Sequence, residues 1–578
     1  MFFKSLASLA TAAALALPAA AQTVHVDQGK SWTPALRDQF YTQDQGARIM
    51  PLAWMRALSS ADGQPFLRDS LIRYGYLPMP GRAEADIPVG FTTNGSGAGM
   101  AIGMTCAACH TRQIEVSGTA YRLDGGPAIV DFQSFLKDLD EAVLAVLDSE
   151  DSFTAFAEKV LGGSQDSVET ARLKSNLEVW SRRFHTLIER SLPDPAWGPA
   201  RLDAVSMIFN RLAGLDIGPE ENDFMIPDNI AVADAPVRYP FLWNATRQDF
   251  TQWPGFAANG NELLGLSRNL GEVYGVFADF RPLEQPGAVF NRDFISHNSA
   301  NWEGLWQLER WIGELGAPQW PWQLNHSLAA QGKEVFNLAT DKGGCVECHG
   351  KRKGEFRSLF RSTWATPVLD VGTDTRECHI LTRTVQTGVL EGTSVPLAGG
   401  VMKAEEPAIS VLGLSVIGAI VQHGVSLLKD EHIAGLSSAL PDDSHSLPDL
   451  SDFEDLRKAF PQRDDARIQK GAAAESCKYE SRVLDGIWAA APYLHNGSVP
   501  TLADLLKPAA ERPASFTPGP NYDIGTVGMA ADQTMFSHVI ETTGCDQLDS
   551  GNSRCGHEFG TSLSAADKKA LLEYLKSI

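Results

Sequence analysis

Five stretches of the chain repeat apolar residues at three- and four-residue intervals, the spacing of helices that bury one face. The longest runs from about residue 131 to 215, with Phe132, Phe135, Leu136 and Leu139 in one part and Leu177, Trp180, Phe184, Leu187 and Ile188 in another, and its length predicts three or four helices. Between Asn301 and Leu315, residues Trp302, Leu305, Trp306, Leu308, Glu309, Trp311 and Ile312 predict a helix that Gly316-Ala317-Pro318 and Pro321 bring to a stop. Ala329, Gly332, Val335 and Phe336 predict another, and Leu571, Leu575 and Ile578 a last one, which Ser564 would cap with Asp567 three residues on. Mixed helical spacing from Phe40 to Leu58, with Met50, Trp54 and Leu58 on one face, predicts a helix nearer the start.

Between these stretches the periodicity changes. Residues 114–129 alternate with glycines and predict a hairpin. Residues 74–103 and 227–280, rich in Gly, Pro and Asn, predict irregular wrapping. At the start, Lys4 precedes an apolar run from Leu6 to Leu17, then small residues Ala19 and Ala21 before Gln22. That is the pattern of a secretory signal peptide, residues 1–21, whose apolar part is too short to span a bilayer. No later run reaches about 18 apolar residues, so a periplasmic or secreted chain without a membrane span is expected. The predicted fold class is mainly α, divided near residue 320 into an N-terminal unit, 22–320, and a C-terminal unit, 321–578.

The 578 residues carry a formal net charge of −22, spread along the chain. Such a surface repels nucleic acid and suits a basic redox partner protein, or simply keeps an exported chain in solution. Of the eight cysteines, four belong to Cys106-Ala107-Ala108-Cys109-His110 and Cys345-Val346-Glu347-Cys348-His349. Two thiols one helical turn apart, followed at once by an imidazole, suit two thioether bonds to one haem with the histidine on its iron. Two covalently bound c-type haems are therefore expected, through Cys106, Cys109, Cys345 and Cys348, with His110 and His349 as iron ligands. A zinc site would have to ignore both histidines and join loops far apart in sequence. Cys378, Cys477, Cys545 and Cys555 remain, and an exported protein favours disulfides. Cys545 with Cys555 in a Gly-, Asp- and Asn-rich loop is the favoured pair, which leaves Cys378 with Cys477.

The second axial ligand decides what each haem does: a second strong ligand makes an electron carrier, and an open position admits oxygen or peroxide. His557, in the glycine-flanked loop Cys555-Gly556-His557-Glu558 before the last helix, is the leading candidate for the His349 haem. His495, between Pro492 and a Gly-Ser turn, is the next, as ligand or as structural anchor. Met402, Met529, Met535, His379, His423 and His538 are weaker. Trp302, Trp306, Trp311, Trp364 and Trp488 are candidates for core or for relay between haems. No catalytic residue can be assigned.

The stretch from Tyr479 to Leu502, YESRVLDGIWAAAPYLHNGSVPTL, together with both haem motifs and Gly556-His557-Glu558-Phe559-Gly560-Thr561, resembles bacterial di-haem cytochromes related to cytochrome c peroxidase and the methylamine dehydrogenase maturation enzyme, most closely the di-haem rubber oxygenases. The resemblance covers residues 326–578; toward the N-terminus it rests on 105–111, Arg268-Asn269-Leu270-Gly271-Glu272-Val273 and the helix ending near Pro321. It implies two cytochrome c-like haem domains, the first enlarged by extra helices and loops. It also implies an oxidoreductase that reacts with peroxide or dioxygen at the His110 haem and passes electrons through a six-coordinate His349 haem, with His557 in the distal position. Phe250, Trp253 and Phe256 are candidates for a distal-pocket aromatic. The alternative is an electron-transfer cytochrome with both irons closed.

Overall fold

The computed structural model of the chain describes residues 23–79, 81, 86–164, 166–358, 361–395, 400–434 and 477–578; the expected signal peptide lies outside them. Helix makes up 40% and strand 15%, and the short strands close no barrel among the described residues. Strand β1 (Thr23–His25) runs parallel to β6 (Thr119–Asp124), which pairs antiparallel with β5 (Thr111–Val116). The expected hairpin is thus present, beginning directly after His110, and it turns on Ser117 and Gly118, both at positive φ.

The single helix expected over residues 40–58 is instead two, α1 (Pro34–Thr42) and α2 (Leu52–Ala57), with β2 (Met50–Pro51) between. Gly46, at φ +98°, lets the backbone pass against Ser299–Asn301, where a Cβ would overlap the main chain. Pro51 adds a residue that no helix interior tolerates. β2 pairs with β4 (Ala101–Met104), which also pairs with β3 (Phe91–Asn94) and leads into the one-turn α3 (Cys106–Cys109).

Residues 131–215 form four helices: α4 (Phe132–Leu147), α5 (Glu150–Val160), α6 (Ser167–Ser191) and α7 (Ala204–Leu215). Asp131, Ser149, Asp166 and Asp203 cap them, each side chain accepting a backbone N–H of the first turn. The irregular stretch 227–280 contains an unexpected helix, α8 (Glu262–Gly275). Its glycines read as loop signals but serve close packing: a Cβ on Gly265 would meet Glu309, and one on Gly275 would meet Ile208. The expected helices follow as α9 (Trp302–Glu314, capped by Asn301) and α10 (His326–Phe336). Then come α11 (Val346–His349), α12 (Arg376–Ile380), α13 (Ala408–Ala434), α14 (Leu502–Leu505) and α15 (Ala565–Lys576), the last capped by Ser564.

Helix α13 had no sequence forecast; in its first half Ile409, Val411, Leu412, Leu414, Val416 and Ile417 are all buried against α7 and α8, so no polar face marks that stretch. No helix among the described residues is long and apolar enough to cross a membrane. A first core lies under α2 and α4–α6, a second among α7, α8 and α13. A third draws on both sides of residue 320: Trp32, Phe40, Ala107, Leu308, Phe241 and Trp243 pack with Val335, Trp488, Leu571 and Leu575. Both favoured disulfides are present, Cys378–Cys477 and Cys545–Cys555.

Candidate functional site

Helices α10 and α15 cross at Gly332, where a Cβ would overlap the Ala570 carbonyl, and this crossing sets the floor for the second cysteine motif. One turn of helix, closed by His349 N–H on Cys345 O at 2.9 Å, brings Cys345, Cys348 and His349 to a single, mostly apolar cavity. His349 Nδ1 lies 2.7 Å from the Arg482 carbonyl. A carbonyl only accepts, so Nδ1 carries the proton and Nε2 keeps its lone pair for a metal.

Facing it across the cavity is His557, with ring centroids 6.0 Å apart and planes at 49°. Two metal–imidazole bonds of about 2 Å each, plus the two ring radii, span about the same distance. The loop that presents His557 is tightly fixed. Cys555 is tied to Cys545, and Gly556 and His557 both adopt positive φ. The His557 N–H donates to Val371 O at 2.8 Å, while Arg512 donates to the Gly556 and His557 carbonyls at 2.8 and 3.2 Å. The His557 Nδ1 is buried with no hydrogen-bond partner. Burial, reinforced by His349 and Arg512, pushes the His557 pKa down to about 3, and burial also lowers that of His349, so both rings are neutral and able to ligate. Leu502, Leu506, Leu571 and Leu575 supply apolar walls. Two thiols, two opposed imidazoles and a large apolar slot fit a flat iron macrocycle.

The first motif repeats the local device. His110 N–H bonds Cys106 O at 2.9 Å, and His110 Nδ1 lies 2.9 Å from the Pro240 carbonyl. Burial lowers the His110 pKa to about 4 and pushes the Cys106 and Cys109 thiols up to about 12. Gly90 makes room, since a Cβ there would overlap the Ala108 backbone. Among the described residues no second imidazole is paired with His110 as His557 is with His349; the ring paired with it is Tyr239, edge-on at 6.2 Å.

Close enough to Cys106 to act on its charge are Arg268 and Glu272 on α8 and Glu309 on α9. Arg268 ion-pairs with Glu309, and Gln252 Nε2 donates to Glu272 Oε1 at 3.0 Å. Burial raises the Glu272 pKa against the pull of Arg268. Gln252, Phe256, Arg268 and Glu272 line a second cavity of about 430 Å³. This acid–amide pair was not legible in the sequence, since 20 positions separate its members; the segment from Arg268 to Val273, already marked by resemblance, was the nearest signal.

The weaker candidates disperse. His495 lines the larger cavity but lies flat on Tyr479, centroids 3.7 Å apart. His423 stacks on Trp302 at 4.3 Å. Met402 and Met529 are buried in different cores, Met535 is exposed, and His379 and His538 are half-buried, none of them lining the larger cavity. Trp253 lies beneath Arg238 in the larger cavity, Phe256 lines the smaller one, and Phe250 lies on a short strand. Trp488 sits with Trp320, Trp322 and Tyr522, Trp364 lies between Arg247 and Lys351, and Trp302, Trp306 and Trp311 are on α9. What joins the two motifs is a residue that sequence reasoning passed over. Phe241 follows Pro240, whose carbonyl holds His110, and its ring lies 4.3 Å under the guanidinium of Arg482, whose carbonyl holds His349.

Residues 478–517 match a family described as RoxA-like, cytochrome c-like. The chain is 28% identical over 606 aligned residues, 95% of its own length and 92% of the relative's, to the uncharacterized protein y4iJ of Sinorhizobium fredii (strain NBRC 101917 / NGR234). It is 45% identical over 85 residues, 14% of its length and 19% of the relative's, to the uncharacterized protein y4iM of the same strain. The C-terminal part of the chain thus carries a RoxA-like, cytochrome c-like segment, and a domain of that kind implies a c-type haem.

Proposed function

We propose that the protein is a periplasmic di-haem c-type cytochrome acting as an oxidoreductase: a haem on Cys106, Cys109 and His110 reacts with peroxide or dioxygen, and a haem on Cys345, Cys348, His349 and His557 passes electrons. The observation that carries this reading is the asymmetry between the two histidines. His349 faces a second neutral imidazole at 6.0 Å, while His110 has no such partner among the described residues. Bound at these positions, haem supplies an iron that transfers electrons when both axial sites are filled and binds oxygen species when one is open.

The protein's own groups divide the remaining work. The Pro240 and Arg482 carbonyls fix the tautomer of each proximal imidazole. Glu272, its pKa raised by burial, stands beside the smaller cavity; Gln252 donates to its Oε1, and Arg268 is fixed by Glu309. A buried carboxyl so placed can deliver protons to a reduced oxygen species without opening the site to water.

Optical and electron paramagnetic resonance spectra of the intact protein test this. One low-spin haem and one haem that binds carbon monoxide when reduced are expected, and His557→Ala should turn the low-spin haem high-spin. Two low-spin haems indifferent to peroxide, carbon monoxide and oxygen would make the chain an electron carrier instead.

A further inference from the structure

The larger cavity has an unusual charge balance. Two guanidiniums line it, Arg238 and Arg482, against one carboxylate, Glu480. Arg482 is 5% exposed, and of its N–H groups only Nε has acceptors, Gln248 Oε1 and Glu480 Oε1, both at 3.4 Å; Nη1 is buried with none. Arg238, also 5% exposed, donates Nε to Leu494 O at 3.0 Å and Nη1 to Tyr239 O at 3.4 Å, and no carboxylate among the described residues pairs with it. Each guanidinium is backed by an aromatic face, Arg238 by Trp253 at 4.6 Å and Arg482 by Phe241 at 4.3 Å, which leaves their edges toward the cavity.

Burying cations beside each other with half the matching negative charge is costly unless an anion completes the site. Two other buried arginines place Nη groups on acceptors of the protein itself, although Arg112 Nε has none. Arg112 donates to the Pro127 and Ala491 carbonyls, Arg201 to Trp197 O, Asn496 O and Asn552 Oδ1, and neither lines this cavity.

We propose that Arg238 and Arg482 form the anion-binding end of the C-terminal cavity and hold the propionate carboxylates of its haem, directing that edge toward Phe241 and the His110 site. The inference rests on the haem reading above. Planar guanidiniums pair with carboxylates through two parallel N–H···O bonds, and the unused N–H groups are of the right kind and on the right wall. The geometry also carries an electrical consequence. Phe241 lies against Arg482 in this cavity and follows Pro240, whose carbonyl holds His110, so the arginines would tune the potential of a haem held here on a wall continuous with the first motif.

The test uses the full protein with its haems attached. Arg238→Gln should make reduction of the low-spin haem about tenfold less favourable, a fall of about 59 mV for one electron. It should also shift the propionate bending band in the resonance Raman spectrum, while Arg238→Lys restores most of the potential. Arg482→Gln, which keeps the main-chain carbonyl that holds His349, should act in the same direction and serves if the first variant does not fold. Glu480→Gln, which removes a negative charge from the same wall, should move the potential upward. Haem present at Cys345 and Cys348 with potential and propionate band unmoved in both glutamine variants would overturn the arginine assignment. Absence of haem at that motif in the unaltered protein, counted as pyridine haemochrome, would instead overturn the haem reading itself.

Discussion

His110 and His349 are held by one device: Nδ1 on a main-chain carbonyl and burial deep enough to keep the ring neutral. Side-chain carboxylates could serve as partners for Nδ1, but a carbonyl orients the ring without adding a formal charge beside the metal site. Buried carboxyls gather around Glu377, with Asp374, Asp203 and Glu480 near enough to act on it. Glu377 is 3% exposed, and its Oε2 has no hydrogen-bond partner. Burial first, then Asp203, Glu480 and Asp374, hold its pKa well above the carboxylate range. A carboxyl raised in the folded state contributes its full stability below its unfolded pKa, and that contribution is lost as pH rises toward the folded value. Glu377→Gln should therefore match the parent near pH 4.5 and become the more stable protein as pH rises, by at most about 1.4 kcal/mol per unit. Urea midpoints at pH 4.5 and 7.5 measure this; a difference that does not change with pH would show that Glu377 is ionised in the fold.

At the scale of elements, the crossing of α10 and α15 decides whether the second motif has a floor. Their backbones touch at Gly332, and any side chain there must push α15 away from Leu571 and Leu575, which wall the cavity. Gly332→Val should lower stability by about 1–3 kcal/mol or more, as overpacking of a tight contact does, and broaden the low-spin haem spectrum. Denaturant unfolding checks it, and parental stability would mean that the crossing can open without cost. Both helices were legible in the sequence because each has a polar face: Ala329, Gly332, Val335 and Phe336 are buried on one, Ala570, Leu571 and Leu575 on the other. Helices α8 and α13 were not. The glycines in α8 mimic loop signals, and the first half of α13 is buried at successive positions and so shows no period of 3.6. The same limit applies to the sites. The two motifs and His557 are local patterns in sequence. The Gln252–Glu272 pair and the Arg238–Phe241–Arg482 junction exist only because distant segments meet, and nothing in their spacing announces it.

Taken whole, the two sides of residue 320 share more than a linker. Arg112, directly behind the first motif, reaches the Ala491 carbonyl, and Glu115 N–H donates to Pro520 O at 2.7 Å. Trp243 donates to Asp485 O at 2.7 Å, and the third core interleaves residues from both sides. Buried hydrogen bonds of this kind leave unsatisfied groups on both partners if one side opens alone, at a cost of about 1–3 kcal/mol for each group. A buried apolar surface common to both sides adds to that penalty. The two motif sites should therefore unfold together. Scanning calorimetry, followed in parallel by loss of the low-spin and carbon monoxide-binding signals that the proposed haems would give, should show one transition with coincident midpoints. Two separated transitions would mean that the junction is a contact between independent domains. In that case Phe241 and Arg482 could part without unfolding either haem site.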